Sequence, residues 1–170
     1  QSILRHCFDP EELFFYDLDC NNEFVKIKGD VITRVLGEHV IDQSLFDRIF
    51  EKHITNPDEF LTPYPLPSIA INEPSFNRDF KYNAWAGASQ ALTALRAPRW
   101  FNYYRKPAYL AYLMKNWIKA IVENPGFKQQ MNPWTGEFFE SEGYSPAMCV
   151  LLDFVSRLYG IRCENGDLEW

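Results

Sequence analysis

A chain of 170 residues, 46% hydrophobic and 24% charged, can build one domain with a substantial core and is short for two. A net charge of −6 and the lack of any Lys/Arg run exclude nucleic acid as a natural partner, because a phosphate backbone needs a clustered basic face. No apolar stretch is long enough to cross a bilayer, and no charged-then-apolar leader opens the chain.

The chain starts at Gln1 rather than Met, and Ser2 to Phe8 reads as the continuation of something, so a fragment or processed chain is expected. Asp9-Pro10-Glu11-Glu12 carries the signals of a helix start: a capping side chain, Pro at the first helical position and acids in the first turn. The turn should be short, because Phe14 to Asp19 looks extended. A turn at Asn21-Asn22 and a second strand over Phe24 to Lys28 then complete a hairpin. Val31 to Leu36 forms one or two helical turns. Asp42 caps a helix whose Leu45, Phe46, Ile49, Phe50 and His53 share one face. Pro57 stops it, and the segment 61–76, with four prolines, is a long connection of the kind that is functional or disordered. Its apolar content favours order.

Ala84 to Ala97 reads as an Ala-rich helix ended by Pro98. Pro107 opens a longer helix through Val122, with Leu110, Leu113, Trp117 and Ile121 at helical spacing. A last helix is expected from Pro146, capped by Ser145, to Gly160. Its apolar residues nearly surround it, which implies burial on several sides. Asn165-Gly166 then marks a hairpin at the end of the chain. Antiparallel helices with links of very unequal length result, and no internal repeat is visible.

The cysteines Cys7, Cys20, Cys149 and Cys163 show no CxxC spacing and are expected to be reduced, with Cys149 buried as a small hydrophobe. The compartment stays open, with a cytoplasmic one favoured. His6, His39 and His53 lack metal-ligand spacing, so a metal site is not expected.

The most informative stretch is Asn132 to Leu152, NPWTGEFFESEGYSPAMCVLL. It sets Glu137 directly after a Thr-Gly turn, in an aromatic-rich loop ahead of an apolar helix. With 5 Trp, 9 Tyr and 14 Phe, the chain has rings to spare beyond a core, and such rings form flat platforms for sugar faces. Spacing alone leaves Glu137 open between a site carboxylate and a solvated loop acid. Trp85 with Tyr82 and Gln90 forms a second constellation, open between a sugar platform and a core Trp.

Together with this stretch, FFYDLD at 14–19, NPDEFLTPYPLPS at 56–68 and YNAWAGASQ at 82–90 resemble, in this order, the (α/α)6-barrel (six-hairpin) glycosidases. The likeness is to the group of processing α-glucosidase I, mannosylglycerate hydrolase and trehalase. It covers almost the whole chain. It implies an all-α fold: the C-terminal portion of an (α/α)6 toroid of antiparallel helices with small β-hairpins, residues 1–160, and the start of a hairpin extension at 161–170. It further implies an inverting hydrolysis of α-linked glucosides or mannosides, with an Asp as general acid and a Glu as general base. Glu137 matches the base, with Glu140 and Glu142 as nearby competitors. The acid is expected upstream, in the missing N-terminal part of the same domain; Asp17 and Asp19 are weak substitutes.

Tyr82, Trp85, Gln90, Trp134 and Tyr144 are the implied contacts to an oligosaccharide or small glycoside, while Arg96 and Arg99 read as helix-end charges. The chain departs from the family at Ala86, where an Arg is common, and at Gln90 and Pro146, where a Trp is common. Two rivals stay open: a non-catalytic carbohydrate-binding remnant and a helical interaction module.

Overall fold

A computed structural model describes residues 2–80, 85–124, 126–139, 143–164 and 167–169, the last two stretches by backbone alone from 162 onward. The chain opens with a short helix α1 (Ser2–His6) and a strand β1 (Phe8–Asp9), which pairs antiparallel with β2 (Phe14–Phe15). The Asp9 carboxylate accepts the amides of Glu11 and Glu12 at 2.9 and 3.1 Å, as a helix cap would. No helix follows, because burial of Phe14, Phe15 and Tyr16 pulls the chain into the core and Leu13, at φ +57°, closes the turn. Strands β3 (Asp17–Leu18) and β4 (Phe24–Val25) form the expected hairpin, with Asn22 at φ +63° in its turn.

Helix α2 (Val31–Gly37) follows, then α3 (Gln43–Ile49), whose Asp42 cap accepts the Leu45 amide at 2.8 Å. α3 ends in a π-helical turn (Phe50–Ile54) closed by the Thr55 amide on the Phe50 carbonyl. The helix expected at 84–97 is displaced: α4 spans Ala91–Tyr103, with Pro98 inside it. An interior Pro costs a helix about 3 kcal/mol. Burial of Ala94, Ala97, Trp100 and Phe101 on either side of it outweighs that cost. Arg96 and Arg99 are therefore mid-helix rather than helix-end residues. Upstream, Ser89–Gln90 is a strand, β5, paired antiparallel with β6 (Gln130–Met131).

α5 (Pro107–Glu123) begins at its Pro as expected and buries Leu110, Leu113, Met114, Trp117 and Ile121. α6 (Ser145–Leu158) starts at Ser145 itself, with no side-chain cap. Its expected burial on several sides is not seen. Ala147, Val150 and Phe154 are buried, whereas Met148, Leu152, Leu158 and Tyr159 are exposed. Cys149 is likewise an exposed thiol rather than a buried one; Cys7 and Cys20 are also free, and the Cys163 side chain lies outside the described residues. The terminal strands β7 (Arg162–Glu164) and β8 (Asp167–Glu169) pair as expected, and their turn, Asn165-Gly166, lies outside the described residues.

α4 is the central helix, packed against α2, α5 and α6, with α5 also on α6. Trp100 and Trp117 anchor the core, and the Phe46 ring of α3 stacks on Tyr104 at 3.9 Å. One face of α2, α4 and α6 lines an open cavity of ≈ 1020 Å³. Four arginines stand there: Arg34, Arg96, Arg99 and Arg157. Arg99 pairs with Glu38 at 3.1 Å and Arg157 with Asp153 at 2.8 Å. A second set of contacts to these helices comes from loops. A mat of them crosses the N-terminal ends of α2, α4 and α6: the Asp30 amide donates to the Ser68 carbonyl, that of Ser68 to the Ala88 carbonyl, and bridges join Pro67 to Ser89 and Met131 to Phe138.

Candidate active site

Asn132 organises the turn that carries Glu137. Its side-chain oxygen accepts the amides of Trp134 and Thr135 at 2.9 and 3.3 Å, an Asx turn. Its carbonyl accepts the Gly136 amide at 2.9 Å, and its own amide donates to the Glu137 carbonyl at 2.9 Å. Asn124, at the end of α5, donates from its side chain to the Gly136 carbonyl at 3.3 Å, and the Glu137 amide donates to Thr135 Oγ1 at 3.3 Å. Gly136 sits at φ +73°, where a side chain is strained. A Cβ there would lie 2.2 Å from Cζ of Tyr64, whose ring forms the floor of the turn. The Glu137 side chain is exposed on this rigid base.

Trp134 stands beside it, half-buried in a ring cluster. Phe76 meets it edge-on at 5.6 Å, Phe80 lies at 6.4 Å and stacks in turn on Phe139, and the Arg78 guanidinium lies over the indole at 5.0 Å. Trp85 is exposed, two residues before Gly87, whose amide donates to Ser68 Oγ at 2.9 Å. Gln90 is buried in the β5–β6 pair, its amide nitrogen donating to Gln130 Oε1 at 3.0 Å. Tyr144, half-buried, precedes α6 and donates its amide to the Phe127 carbonyl at 2.8 Å. The strand pairing thus joins the segments bearing Gln90, Trp134 and Glu137 directly, and Tyr144 enters the following helix. Tyr82, Glu140 and Glu142 lie outside the described residues.

Asp19 is committed to its hairpin: it accepts the amides of Glu23 and Asn21, which hold its carboxyl below the usual range. Asp17 is exposed in β3. Among the described residues no cluster of His, Cys, Asp and Glu could hold a metal ion.

Four features had no sequence signal pointing to them. Tyr64 and Asn124 become part of the site only through the fold. Asp30, buried at the N-terminus of α2, accepts a hydrogen bond from the Thr93 hydroxyl; burial raises its carboxyl pKa despite that bond and the charges of Arg34 and Arg96. His53 and Glu59 form a buried pair at 2.5 Å. The other ring nitrogen reaches the Glu12 carbonyl at 2.8 Å, and Lys28 lies 3.5 Å from Glu59. Burial pushes the Glu59 carboxyl up, but the His53 hydrogen bond and the charges of His53 and Lys28 outweigh it and hold it below the usual range. This pair pins the base of the 56–76 loop to the π-helical turn.

The family described as the mannosylglycerate hydrolase MGH1-like glycoside hydrolase domain matches residues 1–145. The chain belongs to this family. Solved structures resembling this glycoside hydrolase domain include (α/α)6 glycosidases. GH63 mannosylglycerate hydrolase from Thermus thermophilus, in complex with Tris, is similar with a TM-score of 0.76 and 22% identity, over 91% of this chain and 36% of that one. Neutral trehalase Nth1 from Saccharomyces cerevisiae is similar with a TM-score of 0.73 and 14% identity, over 91% of this chain and 28% of that one. An uncharacterized protein of Borreliella burgdorferi is 30% identical over 71 residues, 39% of this chain and 14% of that protein. The glycoside hydrolase domain seen here thus spans about a third of the length of the Thermus enzyme and less of the Borreliella protein. Structures of the Thermus enzyme also hold D-glycerate or glucose.

Proposed function

We propose that this glycoside hydrolase domain is the C-terminal portion of an (α/α)6 toroid and supplies Glu137 as general base of an inverting hydrolysis of α-linked glucosides or mannosides. The observation that carries the reading is the Asn132–Glu137 turn: its backbone is held by hydrogen bonds from Asn132, Asn124 and Thr135, while the Glu137 side chain is exposed, next in the turn to Trp134 and its ring cluster. A base in an inverting mechanism must stay ionised and be aimed at one water. That water gives up its proton to the carboxylate as it attacks the anomeric carbon, on the face opposite the leaving group. The partner acid must then sit roughly 6.5–9.5 Å away to leave room for the water.

In this reading the acid comes from outside this chain, since Asp19 is tied into its turn. Trp85, Trp134 and Tyr144 offer ring faces to the sugar. Gln90, held by Gln130, supports the strand from beneath. The reaction class needs no cofactor, because two carboxyl groups move both protons.

The test uses the full-length protein that carries this chain. Glu137→Ala removes the base, and turnover should fall by roughly 10²–10⁴-fold or more. Azide should then restore it: azide forms the new bond to the anomeric carbon as the glycosidic bond breaks, and the leaving oxygen takes its proton from the acid. The product is a glycosyl azide of inverted configuration. Loss of activity in Glu140→Gln or Glu142→Gln, with Glu137→Gln active, would refute the assignment. The isolated chain should release no monosaccharide.

A further inference from the structure

We propose that Tyr64 is a positioning residue for Glu137, setting through Gly136 the direction in which the carboxylate leaves its loop. The inference rests on the reading of Glu137 as the base. Contact between the two segments is close enough to exclude any side chain at 136: a Cβ would meet Tyr64 Cζ at 2.2 Å, Cε1 at 2.5 Å and the hydroxyl oxygen at 2.7 Å. The ring is therefore the surface against which the left-handed Gly136, at φ +73°, is pressed. Residue 137 leaves that peptide directly, so the ring and the backbone hydrogen bonds of the turn together fix its exit angle.

A positioning group must itself be immobile, and Tyr64 is. Its side chain is buried. Its amide donates to the Pro133 carbonyl at 2.9 Å, inside the Glu137 turn, and its carbonyl accepts the hydroxyls of Ser89 and Thr62 at 2.7 and 2.8 Å. Tyr112 of α5 donates its hydroxyl to the carbonyls of Thr62 and Pro63 at 3.3 and 3.2 Å. Two residues on, Leu66 is held at φ +65°, a conformation that costs an ordinary side chain about 1–2 kcal/mol. Such strain persists only where surrounding contacts over-determine the backbone. The loop thus spends stability to present one ring at one place, and what it presents the ring to is Gly136.

Replacing the ring by a smaller side chain leaves the turn free to shift by about 1 Å, a displacement that costs roughly a hundredfold in rate when it misplaces a catalytic group. In the full-length protein, Tyr64→Leu should lower kcat by roughly 100-fold with KM held within about threefold. Tyr64→Phe, which keeps the ring, should recover most of that loss. The deciding comparison is the azide-rescued rate of Glu137→Ala with and without Tyr64→Leu. Azide carries its own attacking atom and needs no aimed base, so the second substitution should leave the rescued rate unchanged. A rescued rate that falls by the same hundredfold would show that Tyr64 acts on substrate or fold independently of Glu137, and would overturn the proposal. Full activity in Glu137→Ala without azide is a different failure, removing the base assignment itself.

Discussion

Removing Glu59 tests whether the buried pair at the base of the 56–76 loop carries its expected share of stability. Both nitrogens of the His53 ring are engaged, one by the Glu59 carboxylate at 2.5 Å and the other by the Glu12 carbonyl at 2.8 Å. Side-chain exposure is 1% for His53 and 7% for Glu59, so water cannot replace a lost partner. Glu59→Ala should therefore cost about 3–5 kcal/mol, the range for stranding one member of a buried ion pair. With a urea slope of about 2 kcal/mol per molar, the midpoint should fall by roughly 2 M. Glu59→Gln should cost less, about 1–2 kcal/mol, because an amide can donate to a neutral ring. Removing both partners in Glu59→Ala/His53→Phe should recover part of the loss. A Glu59→Ala protein within about 1 kcal/mol of the parent, or a double variant no better than the single, would refute the reasoning. The pH dependence has a fixed sign. Glu59 is held below its ordinary value of 4.5, so its contribution is full above that value and is lost as pH falls through the folded-state pKa.

Asp30 works in the opposite sense: burial raises its pKa above 3.8, so its contribution is full below that value and is lost as pH rises through the folded-state pKa. Asp30→Asn should make the protein more stable at pH 7 and give little advantage at pH 3, as read by urea denaturation. Gly136→Ala combines a left-handed Cβ with overlap on the Tyr64 ring and should cost about 2–4 kcal/mol, lowering the melting temperature by roughly 5–15 °C. Cys149 and Cys20, both exposed, should react with a thiol reagent before Cys7 does. Slow labelling at Cys149 in native protein, tracked by its loss in Cys149→Ser, would contradict the open face of α6.

Local signals were legible wherever short-range chemistry decides the outcome. Asp42 caps its helix, Pro107 opens α5, and Asn21-Asn22 turns the β3–β4 hairpin. Pro98 misleads because its local cost is outweighed by the packing of α4 against three helices, which no propensity reports. Ser89 and Gln90 leave the expected helix for a pairing with a strand about 40 residues away. α6 looks buried all round by composition, yet part of it faces the open cavity, and composition cannot say which neighbours are present. At the site, Glu137 and its turn stand out in sequence because Thr-Gly precedes the acid. Tyr64 does not, since its importance lies in a contact across 72 positions that only the fold creates.

The π-helical end of α3 makes that segment tolerant in length where the rest of the helix is not. In an α-helix each residue advances about 100°, and one extra residue accommodated in a wide turn leaves everything before and after it in phase with its neighbours. Deleting one residue of Phe50–Ile54 would let the wide turn close as an α-helical one with its flanks still in phase, whereas a deletion within Gln43–Ile49 would rotate part of α3 by about 100°. Single-residue deletions should therefore be tolerated better at Glu51 or Lys52, which face solvent, than within α3.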